Sequence, residues 1–440
     1  MQASGKLLDG SSEGWDTHTL IENKERYLQL SREDVAYLKR EWGDDISLVD
    51  RGDEQLITVT NTVGVIGLPS GGILSVEPKV ETSLLYMLAY VGRVSEKIVR
   101  DKNPAAIESG DSLTELLGRL FLTEVEHLHR RGLDQEYQST EDTQRHVRGQ
   151  IQVHKQLQRQ GPVPTQFECR YQDRTPDIPI NQVLLTTIGV LLPLLSDPSL
   201  RARLQQARAR FETAVSPSAQ PLQALEQISL SRLNDHYRAA LLLAQAILEQ
   251  EFLHDTGKSS RPFPSMVFPM PDVFEEAVQQ AVEALLDDTP YTMTKKDLGT
   301  VARRIGPDQN DTRDLEPDIV IRRKTQSDDK GPVVAVGDVK WKTDEKPSSG
   351  DFYQLATYQG YADVPGIVVY PEKETVEHDL EYVSTDSASN RGNLLIRTID
   401  ISSSDSYKSF IDQLIASLSE PVTQLLTYTE LQAKRAKSRD

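Results

Sequence analysis

The chain has 440 residues, 38% of them apolar and 26% charged, which is ordinary for a soluble globular protein and too long for one ordinary core, so two or three domains are expected. Its formal charge is -18, from 67 acidic against 49 basic residues; because phosphate contacts need local Lys and Arg, this excludes a general nucleic-acid-binding surface and leaves only a local patch or delivery by a partner. A single cysteine, Cys169, excludes intrachain disulfides and cysteine-rich zinc modules, and no run approaches a membrane span or a signal core, so a cytoplasmic protein is expected.

Residues 1 to about 16 are polar and Gly/Ser-rich and read as a frayed end. From Ile46 to Val80 the runs ISLV, QLITVT, VGVIGL and GILSVEPKV predict a small antiparallel meander. Its punctuation is Arg51-Gly52-Asp53, Asn61 and Pro69-Ser70-Gly71-Gly72, the last read as a hairpin turn rather than a phosphate cradle. Helices are predicted from about Leu84 to Ile98 and from Ser112 to Arg131, the second with Leu113, Leu116, Leu117, Leu120 and Phe121 among its apolar positions. RGQIQV and TQFECRY, between Arg145 and Asp173, read as strands, after which helices run from Asn181 to about His254. The eight histidines form no metal pattern; His127 and His129 are two apart, not the four of a helical zinc site.

The turn-rich TGKSSRPFP, 256–264, marks the main boundary. The stretch His254 to Ser259 ends like a phosphate-binding loop, but Phe252 stands where that motif has Gly and no buried strand precedes it, so no nucleotide site is assigned. Beyond the boundary, a helix from Pro271 to about Leu286 carries an apolar stripe of Phe274, Val278, Ala281, Val282 and Leu285; a second runs from Asp351 to Ala362, and GIVVY at 366–370 is a buried strand. The expected fold is therefore α+β and multidomain: a β-rich N-terminal module over 1–100, a mainly helical middle domain with short strands over 101–260, and an α/β domain with a mixed central sheet over 261–440.

The chemistry concentrates between Glu316 and Lys342. Asp318 opens the apolar run Ile319-Val320-Ile321, and Asp338, Val339 and Lys340 close the run built on Val333, Val334 and Val336. Pairing these as neighbouring strands joined by a hairpin loop brings two carboxylates and one ammonium together. Carboxylates that close repel unless a cation lies between them, and because every available ligand is a hard oxygen the expected ion is Mg²⁺, with Mn²⁺ as a substitute. Glu275 borders the apolar stripe of the first helix and is a third candidate ligand, whereas Glu276 lies farther round toward solvent. Phosphodiester hydrolysis asks for these residue types, because a metal lowers the pKa of water and a nearby cation steadies the charge developing on phosphate. The plainer alternatives are a strand edge meeting solvent at Asp338-x-Lys340 and two glutamates that merely favour a helix N-terminus. Arg303-Arg304 and Arg322-Arg323-Lys324 flank these strands, either as phosphate contacts or as solvated loop. Arg148, before Gly149, serves structure or partner docking.

Pro317-Asp318 followed by Asp338-x-Lys340 resembles the PD-(D/E)xK nuclease core. The resemblance implies that Asp318 and Asp338 hold the metal, that the carbonyl of Val339 assists, and that Lys340 orients the water or steadies the phosphate. It also makes Glu275 similar to an inward Glu on the first helix of that fold. Gln354 and Tyr358, four apart and so on one helical face, resemble an accessory Gln-x-x-x-Tyr motif in one branch of these nucleases. The segments VGVIGLPSGGILSVEPKV (63–80), RGQI (148–151), RYQDRTPDIPINQVLL (170–185) and FPMPDVFEEAV (268–278), with PDIVI, GDVKWK and YQLATY, together resemble the McrC family, the nuclease subunit of McrBC-type modification-dependent restriction systems. The match touches all regions except the two tails. It implies a magnesium-dependent endonuclease acting on modified double-stranded DNA, paired with a hexameric AAA+ GTPase that recognises and translocates the DNA. It further implies an N-terminal region that contacts the motor and stimulates GTP hydrolysis, and self-association of nuclease domains is a further expectation. The alternative from another class is a non-catalytic adaptor that binds and activates the motor.

Overall fold

Ile319, Val320 and Ile321 are all buried, as are Val334, Ala335 and Val336, which is what strands covered on both faces require. They belong to a six-stranded mixed sheet. In spatial order its strands are Tyr291–Thr294, Ile319–Arg323, Val333–Val339, Gly366–Pro371, Asn393–Ile399 and Leu380–Val383. The first three are antiparallel neighbours, the next two join in parallel, and the last returns antiparallel. On one face Leu355 and Tyr358 of the helix Ser349–Ala362 pack on Val320, Val336, Val368 and Ile396. On the other, Val282 of the helix Met270–Leu286 and Leu418, Val422 and Leu425 of the helix Tyr407–Lys437 enclose a small space with Ile319, Ile321, Ile367 and Val369. Alternate residues of the same strands thus serve opposite layers, as the two-residue strand period demands.

The protein is seen here as a computed structural model that describes residues 17–100, 113–159, 165–252, 263–303, 312–325, 331–343, 348–373, 379–383, 392–402 and 404–437. The expected frayed end at 1–16, the His254 to Ser259 stretch and Arg304 lie outside the described residues. The chain divides into two compact units, one of residues 114–266 and one that joins 16–113 to 267–440. The strand-rich N-terminal stretch therefore shares a unit with the six-stranded sheet.

Within that unit, the expected meander resolves into two sheets. Glu54–Val59 pairs with both Ile46–Arg51 and Arg26–Leu28 in a three-stranded sheet, whereas Thr62–Gly67 and Ile73–Glu77 join Thr17–Ile21 and Ser265–Pro269 in a four-stranded sheet. Asn61, between the second and third runs, adopts a left-handed φ of 60° and redirects the chain. Pro69 to Gly72 forms the expected turn, with Leu68 N–H donating to Gly72 O at 2.9 Å. The single helix expected over 84–98 is broken into Leu84–Tyr90 and Glu96–Arg100, because Gly92 takes a left-handed φ of 78° and Arg93 N–H returns to Leu88 O at 2.9 Å. Leu84–Tyr90 packs against both Met270–Leu286 and Tyr407–Lys437.

The other unit carries helices Leu113–Arg131, Pro179–Leu191, Pro198–Glu212, Pro221–Gln227 and Arg238–Phe252 beside a three-stranded sheet. Three of these helices open on proline, whose missing N–H costs nothing at a first turn. The Asn181 side chain is fully buried and donates to Asp134 O and Pro176 O while accepting from Tyr237 Oη at 2.9 Å, which fixes the PDIPIN run as a structural junction. Arg148 is paired with Asp173 and stacked over Tyr171, with its side chain half exposed. Gly149 beside it has φ 69° and leaves no room for a Cβ, which would lie 2.4 Å from Arg170 O.

Candidate metal centre

Strand register brings the two acids together. Ile319 lies opposite Gly337, so Asp318, one residue earlier, falls opposite Asp338, and directly opposed residues share a face. Both side chains are sequestered, Asp318 in a residue 9% exposed and Asp338 in one 1% exposed. Asp318 Oδ2 accepts the amide of Val339 at 2.8 Å. Asp318 O accepts Gln279 Nε2 at 2.9 Å, and the same amide group donates to Glu275 Oε1 at 2.9 Å. Gln279 sits one turn after Glu275, and this pair of bonds ties the first helix to the start of the Ile319 strand. Glu276 points elsewhere and pairs with Arg93 at 2.9 Å.

Lys340 completes the cluster. Its ammonium forms an ion pair with Asp338 Oδ2, and its backbone N–H donates to Val369 O at 2.9 Å. Burial pushes the Lys340 pKa down, but the fields of Asp338, Asp318 and Asp351, with the bond to Asp338, overcome it, so the ammonium is held more firmly than usual. Asp318 moves the other way: burial first, then the negative fields of Asp338 and Glu275, lift its pKa from 3.8 to about 7, against the pull of the Val339 amide and Lys340.

On the adjoining helix, Gln354 Nε2 donates to Tyr358 Oη at 2.9 Å. The tyrosine is buried, and burial together with the charges of Asp338 and Asp318 pushes its hydroxyl up despite the Gln354 bond. All six expected side chains therefore belong to one neighbourhood. Among the described residues, however, no three His, Cys, Asp or Glu side chains stand close enough to form a ready-made metal cluster. The residues nonetheless suit Mg²⁺: the donors are hard carboxylate oxygens on two sequestered acids close enough to raise the Asp318 pKa, and this ion is commonly held by one or two carboxylates while keeping several waters.

The basic run Arg322-Arg323-Lys324 stands at the end of its strand away from Asp318, with Arg323 and Lys324 exposed. Arg322 donates to Gly331 O at 3.0 Å and Asp297 O at 2.6 Å, Arg323 lies over Tyr291, and Lys324 caps Asp287 O and Thr289 O.

Sequence reasoning missed Gln279 and a second buried group behind Lys340. Trp341 Nε1 donates to both oxygens of Glu22 at 2.9 Å; Lys79 Nζ donates to Glu22 Oε1 at 3.1 Å and to Trp341 O at 2.8 Å. Trp341 also packs on Phe274, 5.3 Å between centroids, next to Glu275. Gln279 was findable from its four-residue spacing to Glu275. Glu22 and Lys79 were not, because nothing local distinguishes them from solvated charges.

A family model described as McrBC 5-methylcytosine restriction system component matches residues 57–371. Among solved structures, a chain of the refined half-complex from the tetradecameric assembly of Thermococcus gammatolerans McrB AAA+ hexamers with bound McrC is similar at 15% identity and a TM-score of 0.61, covering 92% of this chain and 99% of that one. A chain in the cryo-EM structure of the Thermococcus gammatolerans McrBC complex aligns at 16% identity and a TM-score of 0.43, over 61% of this chain and 88% of that one. No curated protein matches. The first likeness establishes a shared α+β fold with mixed sheets. Among the described residues no helix is long and apolar enough to cross a membrane.

Proposed function

The chain belongs to the family of McrBC 5-methylcytosine restriction system components, and on that premise we propose that it is the nuclease subunit of such a system, a Mg²⁺-dependent endonuclease of the PD-(D/E)xK type. The observation that carries this reading is the meeting of Asp318, Asp338 and Lys340 at the ends of two paired, buried strands. A solvated strand edge would leave these groups exposed and independent. Here the two acids are buried, Lys340 is partly so, and the three perturb one another.

Asp318 and Asp338 would hold the ion, with Glu275 and the Val339 carbonyl as further candidates; Mn²⁺ would be an acceptable substitute. The ion, when bound, would lower the pKa of the attacking water and offset charge developing on the phosphate. Lys340 keeps its proton throughout and presents an ammonium to the phosphate or to the water. Asp318 releases its proton as it takes up a ligand's role, since burial and two neighbouring acids otherwise keep it half protonated near neutrality. Tyr358 and Gln354 wall the site on the helix side and keep water away from the acids.

DNA bearing a modified base would be delivered by a hexameric AAA+ GTPase resembling the McrB hexamers of the similar assembly, and the acidic body suits delivery better than capture. Self-association of nuclease domains would bring two centres to two strands. We place this defence against foreign DNA in the cytoplasm. The test is Asp338→Ala or Lys340→Ala in the assembled complex, with cleavage read on modified duplex DNA. Unchanged cleavage refutes the site.

The rival adaptor reading draws on the lack of a ready three-ligand cluster among the described residues. It is separated by the same variants: an adaptor stimulates GTP hydrolysis equally in wild type and variants, while no preparation cleaves.

A further inference from the structure

The Glu22–Lys79 pair has no part in holding a metal or meeting phosphate, yet it lies within the protein with side-chain exposures of 0% and 4%. Burying two charges is expensive, and apolar substitutes of similar volume are often as stable or more so. Stability alone therefore does not account for the pair. Both members reach one residue: Glu22 takes the Trp341 indole, and Lys79 donates to the Trp341 carbonyl while its ammonium lies 5.2 Å from the indole centroid. The residue so clamped at both side chain and backbone is the one that follows Lys340, just past the end of the strand Val333–Val339, where the last sheet bond is the Lys340 amide to Val369 O. The same indole braces Phe274, the neighbour of Glu275.

We propose that the buried Glu22–Lys79 pair is a positioning device for the cleavage centre, clamping Trp341 so that Lys340 is held against Asp338 and the Glu275 helix is held beside them. The proposal rests on the nuclease reading above. Glu22 follows the strand Thr17–Ile21 and Lys79 follows Ile73–Glu77, so the four-stranded sheet reaches into the nuclease centre through these two side chains.

The decisive variant is the neutral pair Glu22→Gln/Lys79→Met, which removes both charges at once and avoids stranding either. Single-turnover cleavage of modified DNA is measured in the assembled complex with Mg²⁺, alongside wild type and Asp338→Ala. Backbone hydrogen exchange of the 334–343 peptide is measured on the metal-free protein. The double variant is expected to keep the wild-type thermal midpoint within a few degrees and the wild-type apparent KM for DNA. Its cleavage rate should fall at least tenfold, and exchange at Lys340 and Trp341 should speed up severalfold. A double variant that cleaves at the wild-type rate, or whose peptide exchanges as wild type does, overturns the positioning role. Failure of wild type itself to cleave would instead strike the nuclease reading.

Discussion

Asp318→Asn turns the raised acidity constant into a stability measurement. The folded carboxyl titrates near 7 rather than 3.8, so the folded protein binds this proton more tightly than the unfolded chain does. The associated stability is whole below about pH 4 and is lost as pH rises through about 7. At 1.36 kcal/mol per pH unit, the rise from 3.8 to about 7 corresponds to about 4 kcal/mol lost between acid and pH 9. Asparagine keeps an oxygen to accept the Val339 amide and cannot ionise. In urea unfolding with EDTA, followed by the buried Trp42 and Trp341, the variant should escape that loss, gaining on wild type by about 4 kcal/mol from pH 4 to pH 9. Mg²⁺ should restore wild type at high pH, where the carboxylate is already ionised and able to ligate the ion, and leave the variant nearly unmoved, because a neutral amide is a much poorer ligand for a hard cation. Parallel curves for the two proteins in EDTA would refute the reasoning.

Lys340→Met strands the Asp338 carboxylate in the interior and is expected to lower unfolding free energy by about 3–5 kcal/mol at pH 8; adding Asp338→Asn should recover much of it, which a urea series checks. Gly337→Ala places a Cβ 2.9 Å from Ile367 Cγ2 and 3.2 Å from Ile319 Cβ, and should cost about 1–3 kcal/mol through overpacking; a midpoint equal to wild type would show that the sheet gives way freely there. Tyr358→Phe loses the Gln354 hydrogen bond and should cost about 1 kcal/mol by the same measurement while slowing cleavage without abolishing it.

The acids and lysine of the centre were legible because each interrupts an apolar run at its end, and a buried strand has few reasons to finish in charge. The pairing of the two runs followed from the same hydrophobic pattern. Glu136–Gln144 was missed as a strand because EYQSTEDTQ presents no apolar face; it is exposed along most of its length and is held by backbone pairing with Phe167–Thr175. Thr17–Ile21 was missed because it is short, and its parallel partner lies more than fifty residues along the chain. The helix break at Gly92 was invisible to apolar periodicity, which continues through Ile98. Of the basic run, Arg322 is partly buried and satisfies distant carbonyls that nothing local announces, while Arg323 and Lys324 are exposed, as the solvated reading expects. Burial of Glu22 and Lys79 is wholly tertiary: their partner Trp341 is 319 positions from one of them.

That separation governs the order in which the molecule matures on the ribosome. The residues of 114–266 are all made before the strands that complete the unit joining 16–113 to 267–440, and domains tend to fold as they emerge. The earliest strands must wait for their later companions. A polypeptide that stops before Lys340 would carry Glu22 and Lys79 without the tryptophan they grip and without the lysine beside it.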